Sequence, residues 1–324
     1  MTSVTEVINR KRREGSTGGS GKPILASCAL AVFLLGVWLW AERGRLMQPS
    51  SRHYLRMAGW RRLLSFHSLH GYVYGRWTNQ YIALLKHRVY PRLGERGKRW
   101  LSDRYHAKVL TNEQARTIIS LDRAIEFRDL ERVIPYAMAR ELVLAAPPAV
   151  VAYECACRRA SSHPCQPTQV CLAIGDFFAD FILEHHPHTA RRLTRVEALD
   201  LLQAEHKRGH VHTAWFKDAC LGRFYAICNC CRCCCTGIEA MREHGIPILA
   251  SSGYVAQVDE LLCDACGACA RACPFGAIGV QKVARVDWEK CMGCGVCEGQ
   301  CPRGAALLAR DEGKGTPLDV RLLA

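Results

Sequence analysis

A duplicated cysteine pattern constrains this chain more than any other feature of its sequence. The pattern C-x2-C-x2-C-x3-C-P runs from Cys263 to Pro274 and recurs 28 residues later, from Cys291 to Pro302. Three thiolates, each separated by two residues, can wrap a tight loop around three corners of one [4Fe–4S] cube. The fourth cysteine of each run opens the following turn and reaches the other cube. The spacing therefore predicts a pair of four-iron clusters with interlocking ligands.

The predicted ligand sets follow from that spacing. The first cluster is assigned to Cys263, Cys266, Cys269 and Cys301, and the second to Cys291, Cys294, Cys297 and Cys273. Gly267 and Gly295 let the backbone pass close to sulfide, and backbone N–H groups of these loops can then donate hydrogen bonds to sulfur. Zinc sites or disulfides are the alternatives. Zinc normally takes four ligands in two separated pairs, and neither alternative explains a duplicated eight-cysteine pattern with both prolines.

These residues resemble the bacterial-type two-[4Fe–4S] ferredoxins over about 50 of the 324 residues. The resemblance implies a βαββαβ-like unit with pseudo-twofold symmetry that carries single electrons at low potential. The chain from about residue 70 onward also resembles uncharacterised bacterial ferredoxin fusion proteins. That likeness rests on an upstream C-x-C…C…C element and an ICNCC-x-CCC element at 227–235, and it supplies no reaction.

Eleven further cysteines lie between Cys155 and Cys235, a density that has no packing rationale. Thiols this close in sequence would be strained as disulfides, whereas soft thiolates select iron–sulfur, zinc or copper(I). We expect at least one additional iron–sulfur cluster here, with zinc or metal-free redox thiols as alternatives. The candidate ligands are Cys155, Cys157, Cys165, Cys171, Cys228, Cys230, Cys231, Cys233, Cys234 and Cys235.

The positive charge of the chain is concentrated in its first third. Residues 1–110 hold 20 Lys and Arg against 5 Asp and Glu, whereas residues 111–324 hold 24 against 25. Within the basic part, the 19 uncharged residues 23–41 predict a transmembrane helix with Trp38 and Trp40 as an aromatic belt. A signal peptide is the alternative. We therefore expect a single-pass protein of the cell membrane with a cytoplasmic redox body. Its basic residues would contact lipid, and the absence of a nucleic-acid motif disfavours DNA or RNA as a partner.

The predicted fold class is α+β: one N-terminal transmembrane helix, a mainly helical cysteine-rich domain and a C-terminal ferredoxin-like domain. Helices are expected over 111–127, 133–146 and 170–185, and a capping box at Thr194 predicts another that ends near Gly209. The predicted domains are a basic flexible tail (1–22), the transmembrane helix (23–41), a basic membrane-proximal region (42–110), the cysteine-rich module (111–258), the dicluster domain (259–311) and a C-terminal tail (312–324).

These features predict a membrane-anchored iron–sulfur electron-transfer protein that serves redox partner proteins. The alternative is an iron–sulfur reductase in which the cysteine-rich module is a catalytic site fed by the ferredoxin clusters. A redox or metal sensor is a third hypothesis, disfavoured because the chain has no output domain. The sequence contains no phosphate-binding loop and no nucleophile elbow, so it indicates no catalytic residues.

Overall fold

The computed structural model describes residues 21–59, 66–127, 130, 133–134 and 142–321. The chain divides into two compact units, Met1–Gln48 and Pro49–Ala324. The first unit contains helix α1 (Gly21–Ala41).

The second unit contains the remaining helices and all the described strands. The helices are α2 (Pro49–Ala58), α3 (Phe66–Arg76), α4 (Thr78–Leu84), α5 (Glu95–Arg104), α6 (Asn112–Ile119), α7 (Ala156–Arg159), α8 (Asp176–His185), α9 (Arg195–Lys207), α10 (Thr236–His244), α11 (Ala268–Ala272) and α12 (Val296–Gly299). The strands are β1 (Tyr105–Leu110), β2 (Ile125–Phe127), β3 (Leu142–Leu144), β4 (Val150–Glu154), β5 (Gln169–Ile174), β6 (Ala190–Arg192), β7 (Val211–Lys217), β8 (Phe224–Cys230), β9 (Leu249–Ala250), β10 (Tyr254–Val258), β11 (Ile278–Val280), β12 (Ala284–Val286) and β13 (Ala306–Arg310). A π-helical turn, Leu85–Val89, follows α4, and 3-10 turns lie at Tyr90–Arg92, Asp218–Cys220 and Glu312–Lys314.

A seven-stranded sheet forms the centre of this unit, in the order β6-β4-β5-β8-β7-β1-β9. Neighbouring strands are antiparallel except for the pair β1 and β9. Both faces of the sheet are covered. Along β5, Cys171 and Ala173 belong to one hydrophobic core, and Leu172 and Ile174 belong to the other, as the two-residue period of a strand requires.

The sheet corrects the expectation that the cysteine-rich module is mainly helical. Every residue of β7 is buried, and so is nearly every residue of β8. Strands that are covered on both faces read as continuous apolar runs, and periodicity alone cannot distinguish such runs from buried helix. The module therefore looked helical in sequence, whereas its centre is a mixed sheet with helices packed on it.

Some of the local helix predictions are confirmed, and others are wrong because the segment forms a buried strand. The predicted capping box at Thr194 opens α9. Helix α6 begins after Thr111, but it ends at Ile119, and residues 125–127 of the helix expected over 111–127 form strand β2. The helix expected over 170–185 begins only at Asp176, because the residues before it form β5. Of the segment 133–146, residues 142–144 form strand β3 and much of the rest lies outside the described residues.

The C-terminal part has the element order β10-α11-β11-β12-α12-β13, which confirms the βαββαβ-like unit that the resemblance implied. Strands β10 and β13 pair antiparallel, as do β11 and β12. Each half of the unit contains one helix and provides one strand to each of the two strand pairs. The two halves therefore repeat each other in a pseudo-twofold arrangement. Strand β10 begins at Tyr254, before the domain start predicted at residue 259.

The first unit corrects the membrane prediction. Within the part of the chain that the structure describes, no helix has both the length and the apolar character needed to cross a membrane. The transmembrane helix predicted at 23–41 is therefore wrong, and so is the single-pass membrane location. Trp38, expected in an aromatic belt, instead donates its indole N–H to the Leu46 carbonyl at 2.7 Å. Glu42 is fully buried and accepts a hydrogen bond from the backbone N–H of Gln48. The contacts with Leu46 and Gln48 involve residues beyond the uncharged run, so the run itself does not predict them.

A buried histidine in β1 predicts a pH dependence of stability. Burial lowers the pKa of His106 from 6.5 to about 4, so the unfolded chain binds a proton in this range that the folded chain does not. The free energy of unfolding should therefore fall by up to about 2 kcal/mol as pH drops from 6.5 to 5. In anaerobic urea unfolding, His106→Leu should reduce this slope, whereas replacing the exposed His53 should not. Equal slopes for wild type and His106→Leu would contradict the prediction.

Candidate metal centres

The eight cysteines of the duplicated pattern gather around two small cavities. One cavity, of about 10 Å³, is lined by Cys263, Cys266, Cys269 and Cys301. The other, of about 20 Å³, is lined by Cys273, Cys291, Cys294 and Cys297. Each cavity thus collects three cysteines from one run and the fourth from the other. Four convergent thiols with this exchange are the donor set that a [4Fe–4S] cluster requires.

Backbone N–H groups donate to four of these sulfurs in a symmetric way. The fourth cysteine of each run accepts from the residue four positions later: Ala277 to Cys273 at 3.3 Å and Ala305 to Cys301 at 3.2 Å. The first cysteine of each run accepts from a strand: Ala284 to Cys263 and Ala256 to Cys291, both at 3.4 Å. These contacts confirm the expected N–H to sulfur bonds, which stabilise thiolate charge and tune cluster potentials.

The turns around these cysteines require unusual backbone angles. Gly267 and Gly295 occupy equivalent positions before α11 and α12, with φ of 73° and 77°. Only glycine adopts this conformation without strain. Burial raises the pKa of the Cys301 thiol. Hydrogen bonds from neighbouring backbone N–H groups, including that of Arg303, lower this pKa by more than burial raises it, so it lies below its ordinary value.

The ten candidate cysteines of the upstream module fall into two groups. Cys165, Cys231, Cys233 and Cys234, called here the thiol quartet, have sulfur atoms that all lie within 4.8 Å of one another. The Cys165 and Cys233 sulfurs are 2.8 Å apart, and those of Cys233 and Cys234 are 3.6 Å apart. Cys233 is exposed. The quartet lies in loops, between α7 and β5 and between β8 and α10, and provides four soft donors near the surface.

The other six form the thiol sextet: Cys155, Cys157, Cys171, Cys228, Cys230 and Cys235. Strand geometry brings them together. The β5–β8 register pairs Leu172 with Ile227, which sets Cys171 opposite Cys228, and the two-residue period places Cys228 and Cys230 on one face. Cys155 precedes α7, and Cys235 precedes α10.

The sextet lines a cavity of about 40 Å³, called here the thiol cavity, and Cys231 of the quartet also lines it. Two buried cations lie close to this cavity. Arg158 lines the cavity, is fully buried, and pairs with Glu205 at 2.8 Å. Lys217, also buried, lies behind the lining residues Tyr74 and Tyr105, with its Nζ atom 3.7 and 4.5 Å from their ring centroids.

The cysteine-rich module and the dicluster domain contact each other beside their cysteines. Arg232, within the thiol quartet's loop, donates a 2.8 Å hydrogen bond to the carbonyl of Arg271, a residue between Cys269 and Cys273. Gln300 donates to the Lys207 carbonyl at 2.9 Å. One hydrophobic core runs continuously from the sextet cysteines into the dicluster cysteines. The cysteine-rich module and the dicluster domain are therefore packed against each other.

Sequence reasoning missed the cations of this region. Arg158 directly follows Cys157, and an arginine inside a cysteine-rich run was the available signal for a buried counter-charge. Lys217 had no such signal, because β7 carries it into the core from a distant part of the sequence. Cys220 is buried but lines none of the three cysteine-lined cavities described above.

Comparison with known proteins identifies one segment of the chain. A family model described as a 4Fe-4S dicluster domain matches residues 262–305. No curated protein and no solved structure matches the chain. The match confirms a ferredoxin-type 4Fe–4S domain. Together with the additional cysteines, it supports an iron–sulfur protein of electron transfer.

Proposed function

We propose that this protein is an electron carrier with two [4Fe–4S] clusters in its dicluster domain and a further iron centre at the thiol quartet. The dicluster ligands proposed are the two sets of four that line the two cavities. A bound [4Fe–4S] cluster supplies one-electron redox chemistry. The observation that carries the proposal is the contact of Arg232 with Arg271, which joins the loop of the quartet to the loop of a dicluster site.

The residues of the chain support this role in three ways. Backbone N–H groups donate to four dicluster sulfurs and favour their thiolate form. Buried cysteines such as Cys269 and Cys297 keep water from the sites. The exposed Cys233 brings the module's donor set to the surface, where a redox partner protein can approach.

The Arg232 contact offers a test of the relay. In protein purified anaerobically, redox titration followed by EPR should show at least two low-potential [4Fe–4S] signals and one from the module. Arg232→Ala should retain all the iron but slow the exchange of electrons between module and dicluster signals in freeze-quench EPR. The matched control is Arg285→Ala, which removes an exposed arginine that lines neither dicluster cavity. Zinc without iron in the purified protein, or unchanged exchange in Arg232→Ala, would count against the relay.

A further inference from the structure

The thiol cavity borders the thiol quartet at Cys231, which lines it, whereas the other three quartet cysteines do not. We propose that the thiol sextet binds an iron–sulfur cluster of its own inside this cavity, separate from the metal centre of the thiol quartet. The proposal goes beyond the electron-carrier function, since it holds whether or not the quartet contains iron and whether or not electrons pass through this cluster.

The number of the donors points to more than one centre. The quartet gathers four sulfurs within 4.8 Å of one another, which completes the coordination of one tetrahedral metal or one cube. The sextet is a second set of thiols, and all six line the thiol cavity. Cys231 of the quartet also lines the thiol cavity, but the six sextet cysteines are by themselves enough donors for a second site.

The dicluster domain provides an internal scale for what a cluster site looks like in this structure. The cavities lined by its two ligand sets measure about 10 and 20 Å³. The thiol cavity measures about 40 Å³ and is lined by more cysteines than either. The thiol cavity is therefore at least as large as the two dicluster cavities and offers at least as many thiol ligands, and the family match supports those two cavities as iron–sulfur sites.

Charge is the third argument. A thiolate-bound cluster is an anion, and burying an anion is costly unless cations lie near it. Arg158 is 0% exposed and Lys217 is 1% exposed. Within the described part of the chain, neither Arg158 Nε nor Lys217 Nζ has a hydrogen-bond partner. Tyr74 and Tyr105 lie between the Lys217 ammonium and the cavity, and their rings stabilise the cation. Arg158 is already paired with Glu205 at 2.8 Å, so Lys217 is the cation whose burial a nearby anionic cluster would help to offset.

Metal analysis of matched double variants tests the proposal. Full-length wild type, Cys171→Ser/Cys228→Ser and Cys165→Ser/Cys233→Ser are purified anaerobically and assayed for iron, sulfide and zinc. The sextet variant should lose about four iron atoms and four sulfide ions per chain, with the dicluster EPR signals retained as proof of folding. The quartet variant should keep that iron and sulfide. The control Cys220→Ser changes a buried cysteine of the same core and should leave the content unchanged. Wild-type iron and sulfide in the sextet variant, or loss of the same signal in both double variants, would overturn the proposal.

Lys217→Met gives a second readout if the sextet variant does not fold. Removing this positive charge should lower the reduction potential of the cluster in the thiol cavity. The EPR signal of that cluster is the one that remains in the quartet variant and does not come from the dicluster domain. The potentials of the dicluster signals should stay in place. If Lys217→Met shifts no potential, or shifts only those of the dicluster clusters, the assignment of a cluster to the thiol cavity is wrong.

Discussion

Replacing Cys273 with alanine is expected to abolish the same iron–sulfur cluster as replacing Cys297. The two residues belong to different runs of the duplicated pattern, yet both line the cavity of about 20 Å³. Loss of one thiolate of four should remove about four iron atoms per chain and the magnetic interaction between the two reduced clusters. Iron analysis and low-temperature EPR of the two variants should give matching losses and superimposable residual spectra.

The complementary pair sharpens that result. Cys263→Ala and Cys301→Ala should resemble each other and differ from the first pair, because these cysteines line the other cavity. Cys28→Ala is the control, since Cys28 is exposed on α1 outside the candidate sites. If Cys273→Ala instead resembled Cys263→Ala, each run would hold its own cluster, and the exchanged ligand sets would be disproved.

Replacing Gly293 with alanine should destabilise the dicluster domain by about 2–4 kcal/mol. This glycine lies between Cys291 and Cys294 with φ of +62°, which an L side chain adopts only under strain. A Cβ atom would also lie 2.1 Å from the Tyr254 carbonyl oxygen and 2.4 Å from Ser252 Oγ. The backbone contact cannot yield without moving β10. The expected result is a lower urea midpoint for bleaching of the cluster absorbance under anaerobic conditions.

Two other glycines separate the conformational and steric contributions. Gly276 has φ of +65° but open space around its Cβ position, so Gly276→Ala should cost only about 1 kcal/mol. Gly279 has open space and no positive φ, so Gly279→Ala should change stability by less than about 0.5 kcal/mol. A Gly293→Ala variant no less stable than Gly276→Ala would show that the close approach to β10 is not a constraint.

The dicluster domain is the part that sequence reasoning predicted best. Its ligand spacing is local: three of every four candidate ligands lie within seven residues, as from Cys263 to Cys269. Turn geometry then follows from the pattern and its glycines, with little dependence on the rest of the chain. Strand β10 begins before residue 259, the predicted start of the domain, because its extent depends on its pairing with β13, about 50 residues further along the chain.

The module shows the opposite behaviour. Residues 228–235 hold six cysteines in eight positions, yet they divide between two groups of thiols. Cys228 and Cys230 follow the strand period into the sheet face, whereas Cys233 and Cys234 in the next loop meet Cys165. Cys231 belongs to the quartet and also lines the thiol cavity. No count of cysteines could make this division, because it depends on where β8 ends and on which strands lie beside it.

The sequence by itself determined the chemistry of this protein: soft thiolate donors in a repeated spacing that suits iron–sulfur clusters. It also determined the local turns, since capping boxes and positive-φ glycines act within a few residues. The tertiary structure alone decided how the upstream thiols are partitioned, that Arg158 and Lys217 stand beside them, and that the module abuts the dicluster loops. It also overturned the transmembrane helix and the mainly helical module. Contacts between distant residues are set by strand register and two-sided burial, and neither is encoded in a short window of sequence.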